Sequence, residues 1–202
     1  MANIAAIRSV GTSLAEYLQR SFDAPSAFPD NVARPSCKFS VVSSGGIQEA
    51  VDPDDSATSV QIFLYHVSID PHLRNSGRLI SPDMAPPPLS VALHYLFTFW
   101  SNSAENEHLV LGWTMLRLQA TPLLDATVLS NDASWTAEDI VQLIPEELSI
   151  ADMMRIWDTL KPEYRLSLGY VARVVRIEAE EAPEQGPVVA SRFQYAVPAG
   201  TP

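Results

Sequence analysis

Four histidines and one cysteine are the side chains of this 202-residue chain with the most chemical reach. His66, His72, His94 and His108 could ligate a metal or move a proton, and Cys37 could act as a nucleophile. Their spacing favours neither use. No two histidines stand four residues apart, the helical spacing that sets two imidazoles over one ion. His66 and His94 fall on neighbouring expected strands and can face each other. No carboxylate stands at ligand spacing beside them, so a histidine hydrogen-bonded in the core or at an interface is the simpler reading. A single cysteine permits no internal disulfide and no cysteine zinc site. There is no G-x-S-x-G elbow, and a Ser/His/acid set gathered from distant positions would leave no local signature. The pair Gly45–Gly46 lies in a Ser-rich loop that does not lead from strand to helix, so it is neither a P-loop nor a dinucleotide turn. Asp54–Asp55 and Glu180–Glu181 sit in loop sequence without an apolar wall to raise a pKa. No catalytic residue, cofactor or metal is expected, and the remaining candidates are aromatic and arginine residues near strand ends: Tyr65, Trp100, Trp157, Tyr164 and Arg165. Core packing and interface anchoring compete for them.

The bulk composition narrows the partners. Lys and Arg total 13 against 24 Asp and Glu, a net charge of −11, which argues against phosphate-driven binding to nucleic acid. Apolar residues make up 47% and charged ones 18%, enough for one domain with a real core. The longest apolar runs, 89–100 and 109–118, are shorter than the roughly 20 residues of a membrane helix. The opening MANIAAIRSV lacks a basic start and a continuous apolar block, so a cytoplasmic origin is expected.

The elements that must hold these residues can be read in turn. Ile4, Ile7, Val10, Leu14, Tyr17 and Leu18 predict a helix over 4–20, with Asn3 as N-cap. Pro25, Pro29 and Pro35 impose a loop over 22–35, and a short strand follows at 38–42. Residues 43–59 read as loop. Residues 60–69 are β-rich with apolar side chains on both faces, which predicts an interior strand covered on both sides. The PHLRNSGR turn and a proline loop to Pro88 come next. Over 89–100, Leu89, Val91, Leu93, Tyr95, Phe97 and Phe99 alternate with Ser90, Ala92, His94, Leu96, Thr98 and Trp100, the clearest strand in the chain.

A helix is expected over 104–120, with Leu109, Trp113 and Leu116 on one face and Leu111, Met115 and Leu118 beside it; Pro122 ends it. Residues 136–146 admit two readings, a helix from Thr136 and Asp139 or a strand over 140–144 before Pro145. Ser149 caps a helix over 150–160 whose expected buried stripe is Ile150, Met153, Met154, Trp157 and Leu160. Residues 163–177 predict a long strand, with Tyr164, Leu166, Leu168, Tyr170, Ala172 and Val174 on one face and Arg165, Ser167, Gly169 and Arg173 on the other. EAEEAPEQGP reads as a solvated loop before a candidate last strand at 188–197. No internal repeat is visible. Together these elements indicate an α+β domain, a mainly antiparallel sheet flanked by helices.

The segments YHVSIDPHLRN, PPPLSVALHYLFTFW, EHLVLGWTMLRLQATPLL and LSIADMMRIWDTLKPEYRLSLGYVARVVRI occur in that order. Together they resemble the N-terminal domain of the cap, or tail-terminator, protein of extracellular contractile injection systems of the antifeeding-prophage type, from about residue 4 to residue 177. The ordered set carries the resemblance, above all PHLRN, L-x-x-x-L-H-Y-L and Y-R-L-S-L-x-Y-x-x-R-V-V-R-I. The resemblance implies a phage tail-terminator-like fold and a structural role. Six copies would ring the end of the inner tube, contact the last sheath layer and stop further growth, and the family offers no catalytic residues to carry over. Partners so implied are a homo-hexamer, the inner tube protein and the sheath protein, without nucleic acid or membrane insertion. The protein would be cytoplasmic during assembly and then part of the injection particle, which can be released from the cell. Some relatives carry an additional C-terminal region, and its roles are not carried over.

On this reading residues 1–177 form the cap domain and 178–202 an acidic loop and C-terminal segment. Loops and strand edges on a rigid scaffold are where binding concentrates. The expected interface residues are therefore His72, Arg74 and Asn75 of the PHLRN turn, the proline loop 82–88, and Arg165 and Arg173 on the polar face of strand 163–177. An enzyme with an unrecognised site and a monomeric assembly adaptor or chaperone for tail proteins are the alternatives.

Overall fold

The computed structural model describes residues 2–48, 58–70, 88–160 and 162–178. The elements run α1 (Ala6–Asp23), β1 (Cys37–Val42), β2 (Thr58–Ile69), β3 (Leu89–Trp100), α2 (Ala104–Ala120), β4 (Leu123–Leu124), β5 (Val141–Glu146), α3 (Ile150–Thr159) and β6 (Ser167–Ile177). They build one six-stranded sheet in the order β1-β2-β3-β6-β5-β4. Among these strands β1 and β2 pair parallel and the other four pairings are antiparallel. The α+β, mainly antiparallel architecture expected from sequence is the one observed. The expected PHLRNSGR turn, most of the proline loop, EAEEAPEQGP and the strand at 188–197 lie outside the described residues.

The sheet is apolar on both faces because β3 is. Val91, Leu93, Tyr95, Phe97 and Phe99 point to one side, where α1 and α2 cover them. Leu96 and Trp100 point to the other side and meet Ile47 and Trp157 of α3. Ser9 and Ser13 of α1 are buried yet satisfied: Trp135 Nε1 donates to Ser9 Oγ at 2.8 Å and Ser130 N donates to Ser13 Oγ at 2.8 Å. A ring cluster of Phe22, Phe28, Phe39 and Trp113 locks α2 against α1 and β1, with the Phe22 and Trp113 centroids 4.9 Å apart.

Several expectations need correction. Ile4 is 83% exposed, because the helix starts at Ala6; its N-cap is Ala5, without a side-chain cap, and not Asn3, whose Oδ1 instead accepts from Ala5 N at 2.8 Å in the turn before the helix. In α2 the buried residues are Val110, Thr114 and Leu118, while Leu116 turns outward. Apolar residues surround that helix, so its own pattern selects no face and the Trp113 ring cluster sets its rotation instead. Thr114 tolerates burial because its Oγ1 donates to Val110 O at 2.8 Å. The helix-start signature at Thr136 is a turn: Asp139 Oδ2 accepts from both Thr136 N and Thr136 Oγ1, and the strand begins at Val141. Strand β6 begins at Ser167, and a bulge between Ala172 and Val175 puts one extra residue opposite β3. The inward set therefore shifts from Val174 to Val175 and Ile177. Strand β2 is interior as expected, but only its first half is covered; His66, Val67 and Ile69 are exposed.

Candidate functional site

The face of the sheet that carries α3 holds the polar residues singled out above. A bulge in β2 between Leu64 and His66 brings Tyr65 and His66 to the side of His94, their register partner. The rings of His66 and His94 lie 5.0 Å apart and tilted by 48°, side by side on adjacent strands as the sequence suggested. His94 is held at both nitrogens. Nδ1 stands 3.0 Å from Glu146 Oε1 and Nε2 stands 2.9 Å from Ser68 Oγ. The Tyr65 hydroxyl donates to Glu146 Oε2 at 2.6 Å. Burial first, then the Glu146 carboxylate, pushes the Tyr65 phenol well above its ordinary value, so it remains a donor. With a neutral imidazole, Nδ1–H donates to Glu146 and Nε2 accepts from Ser68.

Glu146 belongs to β5, two strands away from β3. It reaches across because β6 offers Gly169 at the register position between them. A Cβ there would meet Glu146 O at 2.8 Å and Glu146 Cβ at 3.3 Å. The glycine thus opens the gap through which β5 is tied to β2 and β3. Sequence reading missed Glu146 altogether.

The hydrogen-bond order Ser68–His94–Glu146 is that of a nucleophile, base and orienting carboxylate. Its setting differs. Ser68 Oγ stands within a strand, not on the sharp strand-to-helix turn that exposes a nucleophilic serine beside backbone donors. The grooves of about 480, 570 and 340 Å³ among the described residues are lined by other side chains than Ser68, His94 and Glu146. The four side chains form a polar strap across the sheet. Among the described residues no group of three or more His, Cys, Asp or Glu could hold a metal ion, and no helix is long and apolar enough to cross a membrane.

Of the expected interface residues, Arg165 and Arg173 are the ones described. His72, Arg74, Asn75 and positions 82–87 lie outside the described residues. Arg165 precedes β6 and stacks its guanidinium 5.1 Å from the centre of the Trp100 ring. Its Nε has no hydrogen-bond partner among the described residues. Arg173 is exposed, eight residues on and about 26 Å along the strand, so the structure does not bring the two arginines together. It lines a groove of about 570 Å³ with Asp70, Glu138, Asp139 and Arg176. Of the aromatic candidates, Trp100 and Trp157 are core residues, while Tyr164 is half exposed against Trp157.

The model of the Pvc16 N-terminal domain family matches residues 9–191. The chain belongs to that family. No curated protein matches it. Among solved structures it is similar to a sheath/tube terminator of the PVC extracellular contractile injection system in the extended state. That match has a TM-score of 0.52 and 18% identity, and covers 94% of this chain and 64% of the other. It is also similar to the tube-terminating cap of the anti-feeding prophage, with a TM-score of 0.46 and 15% identity over 93% of this chain and 59% of that one. The chain spans less than two thirds of either neighbour's length. Its membership in the Pvc16 N-terminal domain family agrees with the resemblance read from the ordered segments.

Proposed function

We propose that this chain is a cap subunit: it ends the inner tube and last sheath layer of a phage-tail-like contractile injection particle and works through its surfaces, with no reaction of its own. The observation that carries the reading is the family match over residues 9–191, joined to the shared fold of the sheath/tube terminator. Residues 1–177 are the cap domain in this account. Six copies form a ring on the tube, because head-to-tail contacts that close match the symmetry of a ring-built tube. The protein assembles in the cytoplasm and leaves with the particle. Arg165 and Arg173, with the turn carrying His72, Arg74 and Asn75, are proposed to face tube, sheath or neighbouring copies. Labelling the protein with gold-tagged antibody on isolated particles tests this: label is expected at one end of each particle, and label along the sheath or absent altogether would overturn it.

One observation favours an enzyme instead, the Ser68–His94–Glu146 order. If His94 activated Ser68, an alkyl fluorophosphonate would phosphonylate Ser68 Oγ, with fluoride leaving and the proton passing to His94. The cap reading predicts no such adduct by intact-mass spectrometry. Labelling lost on His94→Gln would restore the enzyme reading.

A further inference from the structure

The two faces of the sheet carry unlike surfaces, a ridge and a groove. On one side, α3 buries only Trp157 and leaves Ile150 81% and Met154 36% exposed. With exposed Asp158 they form an i, i+4 row, a ridge about 12 Å long. On the other side, the end of α1 and the outer flank of α2 enclose a groove of about 340 Å³ lined by Ser21, Ala24, Ala27, Trp113, Leu116 and Arg117. Small side chains form one wall and the 74% exposed Leu116 forms part of the other. Arg117 lies over the Tyr17 ring at 5.0 Å, and its Nε has no hydrogen-bond partner among the described residues. The groove therefore ends in a guanidinium stacked on Tyr17, and the ridge ends in a carboxylate.

We infer that the α3 ridge of one copy seats in the α1–α2 groove of the next copy, with Ile150 and Met154 against Leu116 and Trp113 and Asp158 on Arg117. A row of side chains four apart packing into a groove between helices is ordinary helix packing. The occupant is a second copy because ridge and groove lie on opposite faces of one sheet. Joining them repeats head to tail, the kind of contact that closes into a ring. The inference rests on the cap reading for its setting and names the contact that reading leaves open.

The test pairs Met154→Cys with Leu116→Cys in one chain and oxidises isolated particles; Cys37 is buried and stays out of the reaction. A ladder of cross-linked species above the dimer is expected on a non-reducing gel, with neither single variant cross-linking. Asp158→Arg should lower particle occupancy about tenfold, and combining it with Arg117→Asp should restore it, since like charges facing each other at an interface are strongly disfavoured. Normal occupancy without a ladder overturns this contact and leaves the cap reading standing. A dimer from Met154→Cys alone shows α3 meeting α3 and also overturns it. Absence of even the wild-type protein from particles removes the cap reading and this contact together.

Discussion

Gly169 earns its place through what it lacks. A methyl group there would press on Glu146 O at 2.8 Å, a backbone atom that can move only if β5 moves. Gly169→Ala is expected to destabilise the fold by about 1–3 kcal/mol in a denaturant titration, through overpacking and loss of the strap. Unchanged stability would mean that β5 shifts freely and that the Glu146 contacts carry little. Cys37 gives a second prediction at this scale. Burial, aided by the Asp23 charge, pushes its thiol from 9.0 up to about 12. The folded-state value is raised, so the associated stability is present below about pH 9 and lost as pH rises toward 12. Native protein should resist an aromatic disulfide reagent at pH 8, and Cys37→Ala should flatten the alkaline loss of stability. The meeting of His66 and His94 was legible in the sequence because they fall on neighbouring strands. Glu146 was not, because its contact crosses an intervening strand through a missing side chain, and no periodicity records that.

At the scale of elements, the strongest signals were those where one face is wholly buried. Strand β3 shows its expected bounds, and its inward set holds from Val91 to Phe99 while Leu89 is exposed. Ser149 caps α3 with its Oγ accepting from Asp152 N at 3.1 Å, but of the expected stripe only Trp157 is fully buried, and Ile150 and Met154 turn outward. Two of the corrected readings, β6 and α2, share one physical cause: a partner, not the element's own pattern, decided the phase. A bulge moved the inward set of β6 by one residue, and an aromatic cluster turned α2. Helix α3 is attached to the sheet mainly through Trp157, which meets Trp100 at 6.3 Å and donates from Nε1 to Ser167 Oγ at 3.2 Å. Truncating it leaves a large void at the centre of a cluster to which Met153, Ile156 and Leu160 add only partly buried contacts. Trp157→Ala is expected to cost about 3–5 kcal/mol in thermal or denaturant unfolding. A soluble variant with unchanged melting would place Trp157 outside the core that holds the fold.

At the scale of the molecule, a sheet covered on both sides places unlike surfaces back to back, a ridge on one face and a groove on the other. That geometry suits a subunit that must meet neighbours on both flanks. The net charge of −11 adds self-repulsion where copies would otherwise stack, which suits an end piece. The fold class could be read from alternation and helical stripes; the functional reading could not, and came from the order of whole segments. A tube of identical subunits repeats one head-to-tail contact and grows until something covers its end. The most direct measurement is the distribution of tube and sheath lengths, by electron microscopy, in cells lacking this protein and in complemented cells. The cap account predicts overlong, irregular or disassembled sheath–tube structures with baseplates present, returned to uniform length by complementation. Uniform, contractile particles of normal length in the deletion would contradict it.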